Sequence, residues 1–139
     1  MIYSKNYVAV PPGETIRELL EDKEMTQKEF AMRMDISEKH ASNLINGKVQ
    51  LTASIAQKLY YVLGPDASFW NNLEAQYRQD LELVKEENEI PDDLQYAQKI
   101  PYEALVEAGM IADTNSNKKK VYELRKLFAV SNLKILFEK

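Results

Sequence analysis

Apolar positions along the chain recur mainly at three- and four-residue spacing, the period of a helix with one buried face. After Pro11-Pro12-Gly13, the residues Ile16, Leu19 and Leu20 mark a first helix over about 13–23. A second helix is expected to bury Phe30, Ala31 and Met34, and a third, short one ends at Asn46. Ile55, Ala56, Leu59 and Leu63 set a fourth between Thr52 and Leu63, which Gly64-Pro65 ends. A long fifth helix carries the stripe Phe69, Leu73, Tyr77, Leu81 and Val84. Further on, the pattern predicts a short helix over Pro101–Ala108, a loop over Asp113–Asn117, a helix over about Lys118–Phe128 and a last turn through Phe137 that Ser131 starts. No segment shows convincing strand alternation and no repeat is visible, so the expected class is all-α.

The helix starts carry their own chemistry. Four backbone N–H groups at a helix start lack intrahelical acceptors, and a Ser, Thr, Asp or Asn oxygen supplies one. Thr26 with Glu29 three residues on makes a reciprocal capping-box pattern, and Ser37 and Asp66 are the corresponding caps of the third and fifth helices. Gly47 supplies the left-handed residue that stops the third helix.

The second and third helices form the window QKEFAMRMDISEKHASNLIN, residues 27–46. Two short helices docked at a steep angle need apolar contacts at fixed places and a small residue where they cross. Phe30, Met34, Ile36 and Leu44 supply the contacts, and Ala31 is the small residue. Asp35 stands at the turn where glycine is commonest, and aspartate tolerates the left-handed conformation that the turn requires. Ala41 is smaller than the branched residue usual at its place. This is a helix-turn-helix pattern, and with a helix before it and two after it there are five helices to close a core.

Charge changes this picture only in its distribution. The chain has a formal net charge of −4 and a pI near 5.1, unusual for a protein that grips phosphates. Residues 23–60, however, hold six basic against four acidic side chains, whereas residues 74–95 hold two basic against eight acidic. Affinity for nucleic acid follows local phosphate neutralisation, so acidity outside the reading head weighs little. The acidic stretch broken by Pro91 reads as a linker. The expected organisation is a DNA-binding domain over 1–85, an acidic linker over 86–98 and a small helical extension over 99–139. The chain has no cysteine, which removes disulfide scaffolds, thiol catalysis and thiolate metal sites. No apolar run approaches the length of a bilayer span and the N-terminus lacks a signal-peptide core, so a cytoplasmic location is expected.

The outward residues of the third helix decide whether it reads DNA. Glu38, Lys39, His40 and Asn43 lie in its N-terminal part, which a recognition helix presents to base edges in the major groove. Lysine reaches guanine O6 and N7, asparagine pairs with adenine N6 and N7, and glutamate accepts from cytosine N4. Gln27, Ser42, Asn46 and Lys48 flank this face and suit phosphate contacts, which position without specifying.

Residues 10 to about 78 resemble the HigA-type antitoxins of the Xre/lambda-repressor-like class. The likeness rests on the PGE start, TQKEFA, the S-x-x-x-x-S-x-L-I-N-G-K block, L-T-x-x-x-A-x-K-L and FWNNLEAQY. It implies a five-helix lambda-repressor-like domain in a homodimer that represses its own operon and neutralises a ribonuclease toxin encoded beside it. The segment ELRKLFAVSNLKIL, Glu123 to Leu136, is similar to the joint of longer proteins that fuse such a domain to an ImmA/IrrE-like metallopeptidase. That peptidase needs an HExxH helix, and the chain has one histidine, His40. An N-terminal regulatory piece of such a fusion is therefore one alternative, and a protein-interaction module using the same helical surface is another.

The remaining candidates favour structural roles. His40 lacks a second metal ligand or a nucleophile partner, so neither a metal, a cofactor nor an enzymatic activity is expected. Phe69 and Trp70 are expected in packing, with Trp70 against the fourth helix or a partner subunit, rather than as a base-stacking platform. Lys118-Lys119-Lys120 reads as a solvated helix start, although that placement opposes the helix dipole.

Overall fold

The structure, a computed structural model, describes residues 1–138. They fall into two compact units, residues 1–84 and residues from 85 onward. Among the described residues the elements are β1 (Ile2–Tyr3), β2 (Val8–Ala9), α1 (Gly13–Asp22), α2 (Gln27–Met34), α3 (Glu38–Ile45), α4 (Ala53–Leu63), α5 (Ala67–Ala97), α6 (Tyr102–Glu107) and α7 (Asn117–Phe128). A 3-10 turn, Leu133–Phe137, comes last. The fold is the all-α, lambda-repressor-like one with a helical C-terminal extension.

In the first unit, α1–α4 and the start of α5 enclose one core. Ile16, Phe30, Met34, Ile45, Leu59 and Trp70 are fully buried in it. The indole N–H of Trp70 donates to the Pro65 carbonyl at 3.0 Å, so the largest core side chain leaves no polar group unpaired. Its neighbour Phe69, expected on the buried stripe, is instead 40 % exposed. Adjacent positions point about 100° apart on a helix, and the core takes the larger ring. The inward row is Trp70, Leu73, Tyr77, Leu81 and Val84, with the last three packed against Ala9.

Ala9 belongs to a short hairpin that is absent from the expected elements. Its two strands pair antiparallel, Ile2 with Ala9 and Tyr3 with Val8, and Ser4 N–H donates to the Tyr7 carbonyl. Two-residue strands are too short to show alternation.

The start of α1 lies directly against the backbone at the end of α3. A Cβ placed on Gly13 would lie 1.7 Å from the Ile45 carbonyl oxygen and 2.6 Å from its Cα. Only glycine fits, and both groups are rigid backbone.

The second unit corrects the expected linker. Residues 86–97 are the C-terminal part of α5, which runs through Pro91. A helical proline gives up one backbone hydrogen bond and clashes with the preceding turn, at a cost of about 3 kcal/mol. The burial on either side of it offsets that cost. Ile90 and Ala97 join Tyr102, Val121, Leu124 and Leu133 in a second core. Three acidic side chains of this stretch, Glu86, Glu87 and Asp93, are partners in that packing. Asp93, 4 % exposed, accepts from Arg125 Nε at 2.8 Å and from the Leu133 backbone N–H at 3.2 Å. Arg125 also lies 3.4 Å from Glu86, and Lys118 pairs with Glu87 at 2.5 Å.

Lys118 is therefore committed to Glu87, which answers its unfavourable place at a helix start. Tyr102 donates to the Ala112 carbonyl at 2.6 Å. Burial, with Glu123 and Asp113 near, holds its phenol above the ordinary tyrosine range. The final turn also differs from expectation: its cap position is Asn132 rather than Ser131, with no side-chain cap.

Two outcomes follow from these contacts. Gly13→Ala should lower the unfolding free energy by about 3 kcal/mol or more, at or above the top of the usual overpacking range. A denaturant midpoint equal to that of the parent would contradict the close approach. Arg125→Met should leave Asp93 buried without its cation, a change worth about 3–5 kcal/mol. It should speed amide hydrogen exchange in α7 and the 133–137 turn; unchanged protection there would contradict it.

Candidate nucleic-acid interface

The candidate reading helix, α3, is fixed at both ends by backbone geometry that the sequence encodes. At the turn before it, Asp35 takes φ 56° and ψ 47°. Its N–H donates to the Met32 carbonyl and the Ile36 N–H reaches back to Ala31. This is the Schellman arrangement, closed by the apolar residue that follows it. Ser37 Oγ then accepts from the His40 N–H at 3.0 Å and starts α3. At the far end Gly47 has φ 73°, its N–H donates to Leu44 and the Lys48 N–H donates to Asn43 at 2.8 Å. Ala41, Leu44 and Ile45 face the core, so the opposite side of α3 stands clear.

The start of α2 is built in the same way, with one departure. Thr26 Oγ1 accepts from the Glu29 N–H at 3.1 Å. The Glu29 carboxylate turns to Arg33, 2.9 Å away, so the reciprocal half of the capping box is not what occupies it. Gln27, the first residue of α2, is exposed. Asp66 caps α5 as expected, accepting from the Phe69 N–H at 2.9 Å, and Thr52, where the fourth helix is expected to begin, caps α4. That backbone hydrogen bond, with one from the Ser68 hydroxyl, holds the Asp66 carboxyl below the usual carboxylate range.

The structure sorts six of the eight sequence-expected site residues into three groups. Lys39, His40 and Asn43 line one shallow groove together with Val49, Gln50 and Thr52 from the segment after α3. Glu38 is apart from them. It lines a depression against α2 with Ala31, Met32 and Ile36. Ser42 and Asn46 form the third group: Asn46 Nδ2 donates to Ser42 Oγ at 3.3 Å, and Arg17 donates to Asn46 Oδ1 at 3.1 Å. Lys48 is exposed beyond the end of the helix.

Two residues enter here that the sequence does not single out. Arg17, on α1, reaches the end of α3 across 29 positions of chain, and its side chain stays about half exposed. Gln50 sits in an irregular segment where no periodicity operates, yet it shares the groove of Lys39 and Asn43. An N-G-K turn followed by exposed polar residues is the one signal that could have drawn attention to it.

The groove side chains offer donors and acceptors of the kind that read base edges, and the cation of Lys48 and the partly free guanidinium of Arg17 suit phosphates. No group of His, Cys, Asp and Glu among the described residues is arranged to hold a metal ion. No helix among them is long and apolar enough to cross a membrane.

Comparison with known proteins bears on the same region. A helix-turn-helix family model matches residues 16–60. The HTH-type transcriptional regulator YddM of Escherichia coli (strain K12) is 40% identical over 63 residues, 45% of this chain and 67% of that protein. Among solved structures, one described as an antidote protein of a plasmid maintenance system from Nostoc punctiforme superposes with a TM-score of 0.56 at 27% identity. It covers 60% of this chain and 92% of its own. An addiction module antidote protein of a HigA family from Coxiella burnetii gives a TM-score of 0.53 at 27% identity, with the same coverage. None of these matches extends the resemblance of the tail to a peptidase-linked protein. With the capped α2–α3 pair and its clear outer face, they establish that the chain belongs to the helix-turn-helix family of transcriptional regulators.

Proposed function

We propose that the chain is an operator-binding repressor of the HigA antitoxin kind, working as a homodimer that represses its own promoter and binds a ribonuclease toxin. The observation that carries the reading is the face of α3. Lys39, His40 and Asn43 project from a helix whose two ends are fixed, beside a turn that offers Lys48 and Gln50. The two antidote proteins that the fold matches support the antitoxin part. In this reading residues 1–85 are the DNA-binding domain and 99–139 a helical extension, and the compact units divide near the first of these boundaries.

Each side chain has a role in the proposal. Lys39 donates to guanine O6 and N7, Asn43 pairs with an adenine edge and His40 reads the neighbouring base. Gln50 adds a second amide at the same groove. Gln27, Ser42, Asn46 and Lys48 take phosphates, with Arg17 orienting Asn46 and sharing its phosphate. Glu38, from its separate depression, reads a cytosine N4 only if the groove edge reaches α2.

That depression supports a second reading. Met32 is 72% exposed beside Ile36 and Glu38, an apolar side chain on a face that would serve a protein partner. Under this reading the helix-turn-helix surface is an interaction module and duplex DNA is not its ligand.

A duplex carrying the chain's own promoter separates the two. Bound at about 100 mM salt, it should outcompete random DNA and lose affinity steeply as salt rises, because each neutralised phosphate releases counterions. Equal affinity for both duplexes would overturn the repressor reading. Lys39→Ala or Asn43→Ala should remove about 1–3 kcal/mol of discrimination at one base position, whereas Lys48→Ala should weaken all duplexes alike. Uniform losses from all three would assign α3 to the backbone alone.

A further inference from the structure

The second unit contains a cavity that the helix-turn-helix function does not use. It lies between the end of α5, the turn into α6 and the first half of α7, and its volume is about 160 Å³. Leu94, Ala97 and Leu124 supply an apolar floor, and Gln98, Asn117 and Lys120 stand at the polar side. The side chains of Gln98 and Asn117 enter no hydrogen bond among the described residues, and Lys120 makes no ion pair there; its ammonium lies 5.4 Å from the Tyr102 ring centre. An apolar recess with a few convergent uncommitted polar groups is the usual make-up of a small-molecule site.

The chemistry of the occupant follows from size and charge. An apolar cavity of roughly 150 Å³ accommodates a benzene ring, so the apolar part of a ligand is one ring or a short branched chain. The lining includes one cation and no carboxylate, although the neighbouring groove of the same unit is lined by Glu89, Asp92 and Asp93. A cationic ligand would leave Lys120 opposed. A phosphate would bring about two charges to a single cation and would gain nothing from the leucines. We propose that this cavity is a binding site for a small apolar carboxylate, with the ring or chain on Leu94 and Leu124, the carboxylate on Lys120, and the amides of Gln98 and Asn117 donating to its oxygens.

The test uses the full chain and phenylacetate as probe, followed by amide and methyl NMR shifts. A ligand of this size should bind with a dissociation constant of about 1 mM, and shifts should saturate around Leu94, Ala97 and Leu124. The alcohol 2-phenylethanol, with the same ring and no charge, should bind about tenfold more weakly. Lys120→Gln should lower phenylacetate affinity by about the same factor and leave the alcohol unchanged. Absence of saturable shifts at about 10 mM phenylacetate, where a millimolar site is mostly filled, would overturn the proposal. So would equal affinity for acid and alcohol, or displacement of phenylacetate by equimolar inorganic phosphate. The acid–alcohol comparison is made on the parent chain, so it decides the matter even if the Lys120 variant unfolds.

Discussion

The backbone of Gly13 against the Ile45 carbonyl is the contact on which the candidate reading surface depends. No side chain stands between the two helices there, so the distance from α1 to the end of α3 is set by backbone alone. That approach brings Arg17 within hydrogen-bond reach of Asn46, which in turn holds Ser42. It also leaves α3 free to present its other side, because the anchoring is made at the helix end rather than along its face. Asp35 does the same work at the other end. Its left-handed conformation turns the chain sharply enough for Ser37 to cap α3 with only Asp35 and Ile36 between it and α2. A short helix held only by its outward side chains would have nothing left to offer a ligand; this one is held by its two ends and its inner side.

The second unit solves a different problem, that of holding a proline-containing helix segment together. Three of its carboxylates, Glu86, Glu87 and Asp93, are partners of cations rather than solvated charge. Asp93 takes the Arg125 guanidinium and a backbone N–H of the final turn, so one carboxylate joins α5, α7 and the 3-10 turn. A buried pair of this kind adds little net stability over an apolar substitute, yet removing one partner is costly. The arrangement therefore fixes which surfaces meet more than how strongly. It also explains how the acidic stretch coexists with DNA binding: Glu86, Glu87 and Asp93 face cations of their own unit.

Most of the first unit is legible in the sequence because its determinants are local. Thr26, Ser37, Thr52 and Asp66 each act on an N–H three residues away, and the helical period needs only a window of one or two turns. The failures share a cause in distance or in choice between neighbours. Residues 86–97 look like a solvated linker until Lys118 and Arg125 are seen opposite them, more than thirty positions away. Phe69 and Trp70 are equally apolar to a periodicity argument, and only the Pro65 carbonyl and the shape of the core select the indole. At the site, the grouping of Lys39, His40 and Asn43 follows from helical spacing, whereas the separation of Glu38 depends on how α2 packs beside it. Arg17 and Gln50 have no sequence signal of comparable strength.

The central claim is that α3 and its flanking turns form the DNA-contacting surface. Its most direct test is an amide-shift footprint of the full chain titrated with its promoter duplex. The account predicts the largest shifts at 38–43, with smaller ones at Gln27, Arg17 and 46–50, and these should recede as salt rises. Shifts concentrated in residues 85–138, with α3 unmoved, would contradict it.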